Sequence, residues 1–378
     1  MIIGYTFKNR SLLHEAFTHP SYHKDCGSYE RLEYVGDSVL SLLITKEQFS
    51  LYPNLPPGLL TPLRAANVDT EKLARVAVQH NFHRYIRLGT PILKKQIQAF
   101  IDVLPKHPLH SHGLINAPKV LADVVESTVG AVFIDSDCSV DKTWEVASDL
   151  LKPIITPEML QTNPVKKLFE ICQKYKLKVK LVDLWSEEGT YKVFVNNQLR
   201  GKENNEEEEK YSQEKRVKAI KDITGYEFKD PILLQQAFTH HSYEDQNCSS
   251  NERLEYIGDS VLNFLISKEH FLMYPDLDPG KLTRLRSVNV DTEKLARVSF
   301  KHELYKFLRH NKPLLAGQIN EFRDAIVEYP LHSSGLIDAP KVLADIVESL
   351  VGAIYIDSNF SMDTTWKVLI ENIFTTTN

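Results

Sequence analysis

The sequence lacks several features that would assign it to a membrane, a secretory pathway or an oxidising compartment. It has no apolar run of about 18 residues, and residues 1–5 lack the basic and apolar regions of a signal peptide. We therefore expect an intracellular protein, in the nucleus, the cytoplasm or both. The 4 cysteines lie far apart without paired spacing, which argues against a disulfide or zinc framework. Positive charge is not in excess, since the net charge is −5. That balance weighs against a protein that grips nucleic acid over its whole surface.

What is present is a pattern of acids at helical spacing. The 378 residues, of which 42% are hydrophobic and 25% charged, suit a globular chain of two or three domains. Within residues 30–40, Glu30, Glu33 and Asp37 lie at i, i+3 and i+7 and line one face of a helix. The residues four positions after each acid supply no basic partner. The stripe indicates a cation supplied from outside, namely a metal, or else a solvated acidic face.

The acidic stretch occurs twice. Glu252, Glu255 and Asp259 repeat its spacing in the second half of the chain. A duplicated acidic stripe is hard to explain as accidental surface decoration. Each copy also carries a glycine inside the predicted helix, Gly36 and Gly258, which is unfavourable unless another helix approaches closely there.

A second acidic helix follows in each repeat. Asp123 and Glu126 are i, i+3 neighbours embedded among Val and Leu, and Asp345 and Glu348 repeat them. Two acids among apolar residues are costly to bury unless something neutralises them. A lysine four residues before each aspartate can form an ordinary ion pair, but one lysine cannot balance four carboxylates. The lysines are Lys119 and Lys341.

Two other duplicated pairs leave alternatives open. Arg64 and Arg286 follow proline-rich turns and could either contact phosphate or close an internal ion pair. His19 and His240 could be catalytic, but we favour hydrogen-bonded structural histidines because no nucleophile accompanies them.

Helical patterns dominate both repeats, and no hairpin signal occurs within them. We therefore predict a mainly all-α fold with two helical domains, residues 3–157 and residues 215–375.

These motifs resemble the signature of ribonuclease III, the double-stranded-RNA endonuclease family. The acidic triplets, the glycines and the flanking apolar positions carry the match, which covers both repeats and is closest to plant Dicer-like and ribonuclease-three-like proteins. No Walker A motif is present, so the chain lacks the helicase of a full Dicer. The resemblance implies a hydrolase of RNA processing or RNA silencing that cuts double-stranded RNA. One strand would be cut per domain, leaving 5′-phosphate and 3′-hydroxyl ends with short 3′ overhangs.

The resemblance also implies which residues carry the chemistry. The four acids of each repeat would bind Mg²⁺ or Mn²⁺, hard cations that prefer oxygen ligands, and Lys119 and Lys341 would assist the charge balance. The expected metal ligands are Glu33, Asp37, Asp123 and Glu126 in the first repeat and Glu255, Asp259, Asp345 and Glu348 in the second. Of these, the expected catalytic residues are Asp37, Glu126, Asp259 and Glu348.

By the same resemblance, the two repeats should pair within one chain as a pseudo-dimer, with a homodimer between chains also open. We expect Gly36 and Gly258 to let the two helices that carry them approach each other, with Val39 and Val261 buried between them. The alternative function is a non-catalytic protein that binds double-stranded RNA or modulates RNA silencing while keeping the fold. The presence of all eight acids argues against it.

The segment between the repeats has a different composition. Residues 163–175 show helical periodicity, and residues 178–184 and 190–195 alternate like two strands. This α-β-β pattern, within residues 163–201, is similar to the first half of a double-stranded-RNA-binding domain. Instead of the basic helix expected next, residues 202–214 begin with an acidic run typical of a solvated linker. That departure weighs against RNA binding by this module.

Overall fold

The computed structural model describes residues 3–22, 27–107, 111, 114–160, 178–184, 190–196, 207–243 and 249–374. For residues 178–196 and 207–215 it describes the backbone only, where it describes them at all. The helix predicted for residues 163–175 lies outside the described residues. No helix in the described part of the chain is long and apolar enough to span a membrane.

In its described residues the first repeat consists of helices joined by loops, with one isolated β-bridge between Thr18 and Arg87. Its helices are α1 (Arg10–Ala16), α2 (Glu30–Leu51), α3 (Pro57–Val68), α4 (Thr70–Gln79), α5 (Pro91–Val103), α6 (Lys119–Asp135) and α7 (Val140–Leu150). The longest, α2, has Glu30 and Glu33 in its first turn, where carboxylates interact favourably with the helix dipole. It ends just before Pro53, since the residue before a proline disfavours helical geometry. The carboxylate of Asp69 accepts a hydrogen bond from the Lys72 amide and caps α4.

The second repeat follows the same order after one additional helix, which begins at Glu207 and so within residues 202–214, the segment predicted as a solvated linker. Its helices are α8 (Glu207–Thr224), α9 (Pro231–Ala237), α10 (Glu252–Met273), α11 (Pro279–Val290), α12 (Thr292–Lys301), α13 (Leu315–Glu328), α14 (Lys341–Asp357) and α15 (Met362–Val368). Helix α10 corresponds to α2 and α14 to α6, so each acidic stretch lies on a 22-residue helix and each second acidic element on a 17-residue helix. The predicted mainly all-α fold with two helical domains is confirmed.

The two repeats form one compact unit. Residues 1–154 and 214–378 cluster together, and residues 155–213 form a second unit. Within the first unit, α2 packs against α6, α10 packs against α14, and α2 also packs against α10. Val39 and Val261 are fully buried in a hydrophobic core that is continuous through both repeats. The predicted pairing of the repeats within one chain is therefore the arrangement seen.

The second unit contains an antiparallel hairpin. Its strands are β1 (Lys178–Leu184) and β2 (Thr190–Asn196), with Lys178 opposite Asn196 and Leu184 opposite Thr190. Both strands were predicted from the sequence, and the predicted second strand ended one residue earlier than the observed one. The likeness of this segment to an RNA-binding domain is not shown by the hairpin alone.

Candidate active site

The acids of the first repeat meet where α2 and α6 cross. A Cβ placed on Gly36 would lie 1.9 Å from the carbonyl oxygen of Glu126, and one on Gly130 would lie 2.1 Å from that of Leu32. Only glycine at both positions allows this backbone contact. The crossing therefore sets Glu126 of α6 against the acidic face of α2.

The second repeat makes the same crossing between α10 and α14. A Cβ on Gly258 would lie 1.8 Å from the carbonyl oxygen of Glu348, and one on Gly352 would lie 2.2 Å from that of Leu254. The prediction that Gly36 and Gly258 bring α2 and α10 together is thus wrong. Each glycine contacts the second acidic helix of its own repeat, and a single helix sequence cannot reveal which partner its glycine meets.

Three carboxylates converge in each repeat. In the first acid group, Glu33, Asp123 and Glu126 each offer an oxygen, and the three oxygens lie within 4.8 Å of one another. The second acid group has the same geometry. Its members are Glu255, Asp345 and Glu348. Carboxylate oxygens at this spacing fit a hard divalent cation. The observed donor set thus fits the ligands expected for Mg²⁺ or Mn²⁺.

The fourth predicted acid of each repeat lies beside these groups rather than within them. Asp37 is close enough that its charge raises the pKa of Glu126, and Asp259 acts in the same way on Glu348. The structure therefore brings all four predicted acids of a repeat together, in a set of three with an aspartate alongside.

Without a cation, burial and mutual repulsion disfavour the ionised form of several carboxyls in each acid group. Burial, followed by the charges of the neighbouring acids, raises the pKa of Glu126 well above its usual value and that of Glu348 to about 8. Burial also raises the pKa of Glu33 and Glu255. Like charges held in a partly buried site disfavour ionisation, and a bound cation would reverse that effect.

A lysine bridges two acids of each group. Lys119 Nζ lies 2.8 Å from Glu33 Oε1 and 2.5 Å from Asp123 Oδ1, and Lys341 makes the equivalent contacts at 2.8 and 2.5 Å. Burial alone would lower the pKa of Lys119, but its bonds to the two carboxylates outweigh burial and raise it. In the first repeat Tyr29, a residue that the sequence analysis did not identify, donates to Asp123 Oδ2 at 2.9 Å.

The two histidines are hydrogen-bonded within their turns. His19 Nδ1 lies 2.8 Å from Ser21 Oγ and accepts a hydrogen bond from the Ser21 backbone amide at 3.0 Å. His240 makes the same contacts with Ser242, at 2.9 Å each. These contacts agree with the structural interpretation.

Arginines connect the repeats. Arg64 forms an ion pair with Asp259, and Arg286 forms one with Asp37, at 3.6 and 3.5 Å. Of the two alternatives left open above, the structure shows the ion pair, with the partner in the other repeat.

Two other interface arginines were missed by sequence analysis. Arg253 donates to the carbonyl oxygens of Phe49, Tyr52 and Leu55 at 2.6 to 3.0 Å, and so caps the end of α2. Arg31 donates in the same way to Phe271 and Leu277, at 2.9 and 2.7 Å. The sequence signal that could have identified them is an arginine directly after the first glutamate of the acidic stretch in both repeats. This arginine lies on the helix face away from the acids.

The chain thus contains two similar helical domains in tandem, and each domain has a group of acids where two of its helices cross. A family model described as the ribonuclease III domain matches residues 30–137 and 252–359. The chain belongs to the ribonuclease III family, whose domains act on double-stranded RNA and depend on divalent metal. It is therefore an endoribonuclease of the hydrolase class by family, as predicted.

Two proteins that are similar to the chain in sequence have names from this family. The chain is 43% identical over 242 residues to ribonuclease 3-like protein 3 of Oryza sativa subsp. japonica, covering 62% of this chain and 81% of that protein. It is 48% identical over 181 residues to endoribonuclease Dicer homolog 1 of Arabidopsis thaliana, covering 46% of this chain but only 9% of that protein. A solved nuclease domain of ribonuclease III from Campylobacter jejuni is 25% identical, with a TM-score of 0.33, and the match covers 42% of this chain and 98% of that domain.

Proposed function

We propose that this chain cuts both strands of an RNA duplex in a reaction that needs Mg²⁺ or Mn²⁺, one strand at each acid group. The products would carry 5′-phosphate and 3′-hydroxyl ends with short 3′ overhangs. The observation that carries the proposal is the duplicated carboxylate set, present in full in both repeats and held at two glycine crossings of one paired unit. The proposed metal ligands are the eight acids, and the proposed catalytic residues are Asp37, Glu126, Asp259 and Glu348.

The residues of each group have distinct tasks. Glu33, Asp123 and Glu126 present oxygens to one point, while Lys119 holds the first two in place. Glu126, the most strained acid, must lose its proton before it can act as a ligand. A bound Mg²⁺ would supply a water of lowered pKa for in-line attack and would stabilise the leaving oxygen. Asp37 is half-exposed, so solvent reaches this aspartate beside the group.

Pairing of the repeats supports the assignment of one strand to each group. An RNA duplex shows its two backbones across a shallow minor groove, which two sites fixed on one unit can span. We propose domain boundaries at residues 3–157 and 215–375 for the two nuclease domains. The partial module would occupy residues 163–201 and the linker residues 202–214.

The test uses a long RNA duplex whose strands carry different labels, incubated with Mg²⁺ or Mn²⁺ and sequenced at the new ends. The native chain should make double-strand breaks, and EDTA should stop it. Glu126→Gln should leave nicks in one strand and Glu348→Gln nicks in the other, while the double variant should not cut. The exposed Glu145 on α7 offers the matched control Glu145→Gln, which should cut normally.

Two results would contradict the proposal. If the native chain leaves the duplex intact in both metals while still binding it, the non-catalytic alternative is correct. If either single variant still makes full double-strand breaks as a monomer, the assignment of one group to each strand is wrong.

A further inference from the structure

The aspartates beside the acid groups each face an arginine of the other repeat. Arg286 Nη1 lies 3.5 Å from Asp37 Oδ2, and Arg64 Nη1 lies 3.6 Å from Asp259 Oδ2. The relation is reciprocal, since each repeat gives one arginine and receives one. The contact therefore follows the pseudo-twofold pairing of the repeats.

Aromatic rings orient both guanidinium groups. Arg286 lies 5.4 Å from the ring centroid of Tyr34, and Arg64 lies 5.3 Å from that of Tyr256. Each tyrosine is buried and precedes the aspartate by three residues, so ring and carboxylate share one helix face. A guanidinium stacked on a buried ring loses little further freedom when it pairs with a neighbouring carboxylate.

In the second repeat a hydroxyl pair adds to this arrangement. Arg64 Nη1 donates to Ser260 Oγ at 2.6 Å, and Ser260 Oγ lies 2.9 Å from Thr45 Oγ1 of the first repeat. Ser260 directly follows Asp259 in α10. Arg64 thus contacts two consecutive residues of the other repeat, next to its acid group.

The arginines are less exposed than the aspartates that they contact. The side chains of Arg64 and Arg286 are 20% and 21% exposed, whereas those of Asp259 and Asp37 are 39% and 52% exposed. Each guanidinium is thus more enclosed than the carboxylate it contacts, which suits a residue that holds the carboxylate in place.

We infer that Arg64 and Arg286 are positioning residues that act across the interface, each holding the aspartate beside the other repeat's acid group in place for metal binding. The inference rests on the proposed function. It means that neither acid group is complete within its own repeat. Partners that orient metal ligands commonly change metal affinity or activity about 10- to 100-fold when they are removed.

The experiment uses the full chain with Arg286→Gln or Arg64→Gln and the strand-labelled duplex. Arg286→Gln should slow cutting of the strand assigned to Glu126 by about 10- to 100-fold while the other strand is cut normally. Arg64→Gln should slow the strand assigned to Glu348. Each substitution would therefore impair the group of the repeat that does not contain it. Lysine at either position should restore part of the loss because it keeps the charge.

A second readout does not depend on cutting. Mn²⁺ binding to the duplex-free chain, followed by electron paramagnetic resonance, should show one weakened site of two in each variant. Arg31→Gln is the matched control, because Arg31 also bridges the repeats but contacts carbonyl oxygens rather than an acid. Arg31→Gln should lower the stability of the protein without slowing the cutting of one strand more than that of the other.

The outcomes separate the two proposals. If Glu126→Gln and Glu348→Gln nick different strands but Arg286→Gln slows both strands equally, or slows the one assigned to Glu348, the inference is overturned and the proposed function stands. Unchanged Mn²⁺ binding in both arginine variants also overturns it. If the chain cuts no duplex, the proposed function fails, and the Mn²⁺ measurement still decides whether the arginines support the acid groups.

Discussion

Gly36 and Glu126 are in direct backbone contact: a Cβ on Gly36 would lie 1.9 Å from the Glu126 carbonyl oxygen. Gly36→Ala should therefore force α2 and α6 apart. We expect a loss of about 1–3 kcal/mol in the free energy of unfolding, as for other overpacked sites, and slower cutting of the strand assigned to Glu126. Thermal unfolding and the strand-labelled assay would measure both effects.

Gly58→Ala is the control for that substitution. Gly58 lies in α3, and an added Cβ there would meet nothing within 4 Å. It should be neutral or slightly stabilising, since alanine favours the helix. If Gly36→Ala unfolds at the same temperature as the native chain, the crossing is looser than the structure indicates.

Arg253→Gln should weaken the pairing of the repeats. It removes a guanidinium that donates three hydrogen bonds to carbonyl oxygens at the end of α2. Hydrogen bonds that involve a charged group contribute about 1.5–3 kcal/mol, so a loss of about 2 kcal/mol is expected in the free energy of unfolding. The exposed Arg323 provides the control Arg323→Gln, which should change stability by less than about 0.5 kcal/mol. Equal unfolding midpoints for the two variants would contradict this role for Arg253.

The raised pKa of Glu348 predicts how pH acts on the metal-free protein. Its carboxyl has an ordinary pKa of 4.5 and a pKa of about 8 in the folded chain. Between those values the folded state keeps a proton on Glu348 that the unfolded chain has released, so the contribution of this carboxyl to stability should fall as pH rises through this window. Metal binding displaces that proton, so Mg²⁺ affinity should rise with pH up to about 8.

Calorimetry of EDTA-treated protein at several pH values would measure the first effect, and titration with Mg²⁺ the second. The double variant Glu126→Gln/Glu348→Gln should flatten the fall in stability, because an amide does not titrate. If the native chain and the double variant show the same change of stability with pH, these glutamates are ionised in the fold.

The segment between the repeats should contribute little to duplex affinity. Replacing residues 163–201 by a flexible linker should weaken binding only modestly and leave its salt dependence nearly unchanged, because basic contacts to phosphate dominate both. Filter binding at two salt concentrations would measure this. A large loss of affinity would show that the segment is an RNA clamp despite the acids that follow it.

The sequence predicted the helices and the acids but not their partners. The spacing of Glu33 and Asp37 sets the face of α2 from local geometry, and duplication identified the second copy. In contrast, the contact of Gly36 depends on how two helices cross, and the ion pair of Arg286 depends on a helix in the other repeat. Neither is encoded in a local pattern, so the expectation that Gly36 and Gly258 bring α2 and α10 together was wrong and the role of Arg286 stayed open.

The repeats are copies, but they are not identical where they support their aspartates. Asn263 donates to Asp259 Oδ1 at 2.8 Å, and Ser41, with a shorter side chain, occupies the matching position near Asp37. In a dimer of identical chains every substitution enters both sites at once. Because both halves here belong to one polypeptide, each site can be altered without the other. Under the proposed function, selection can therefore tune the cutting rate of each strand separately.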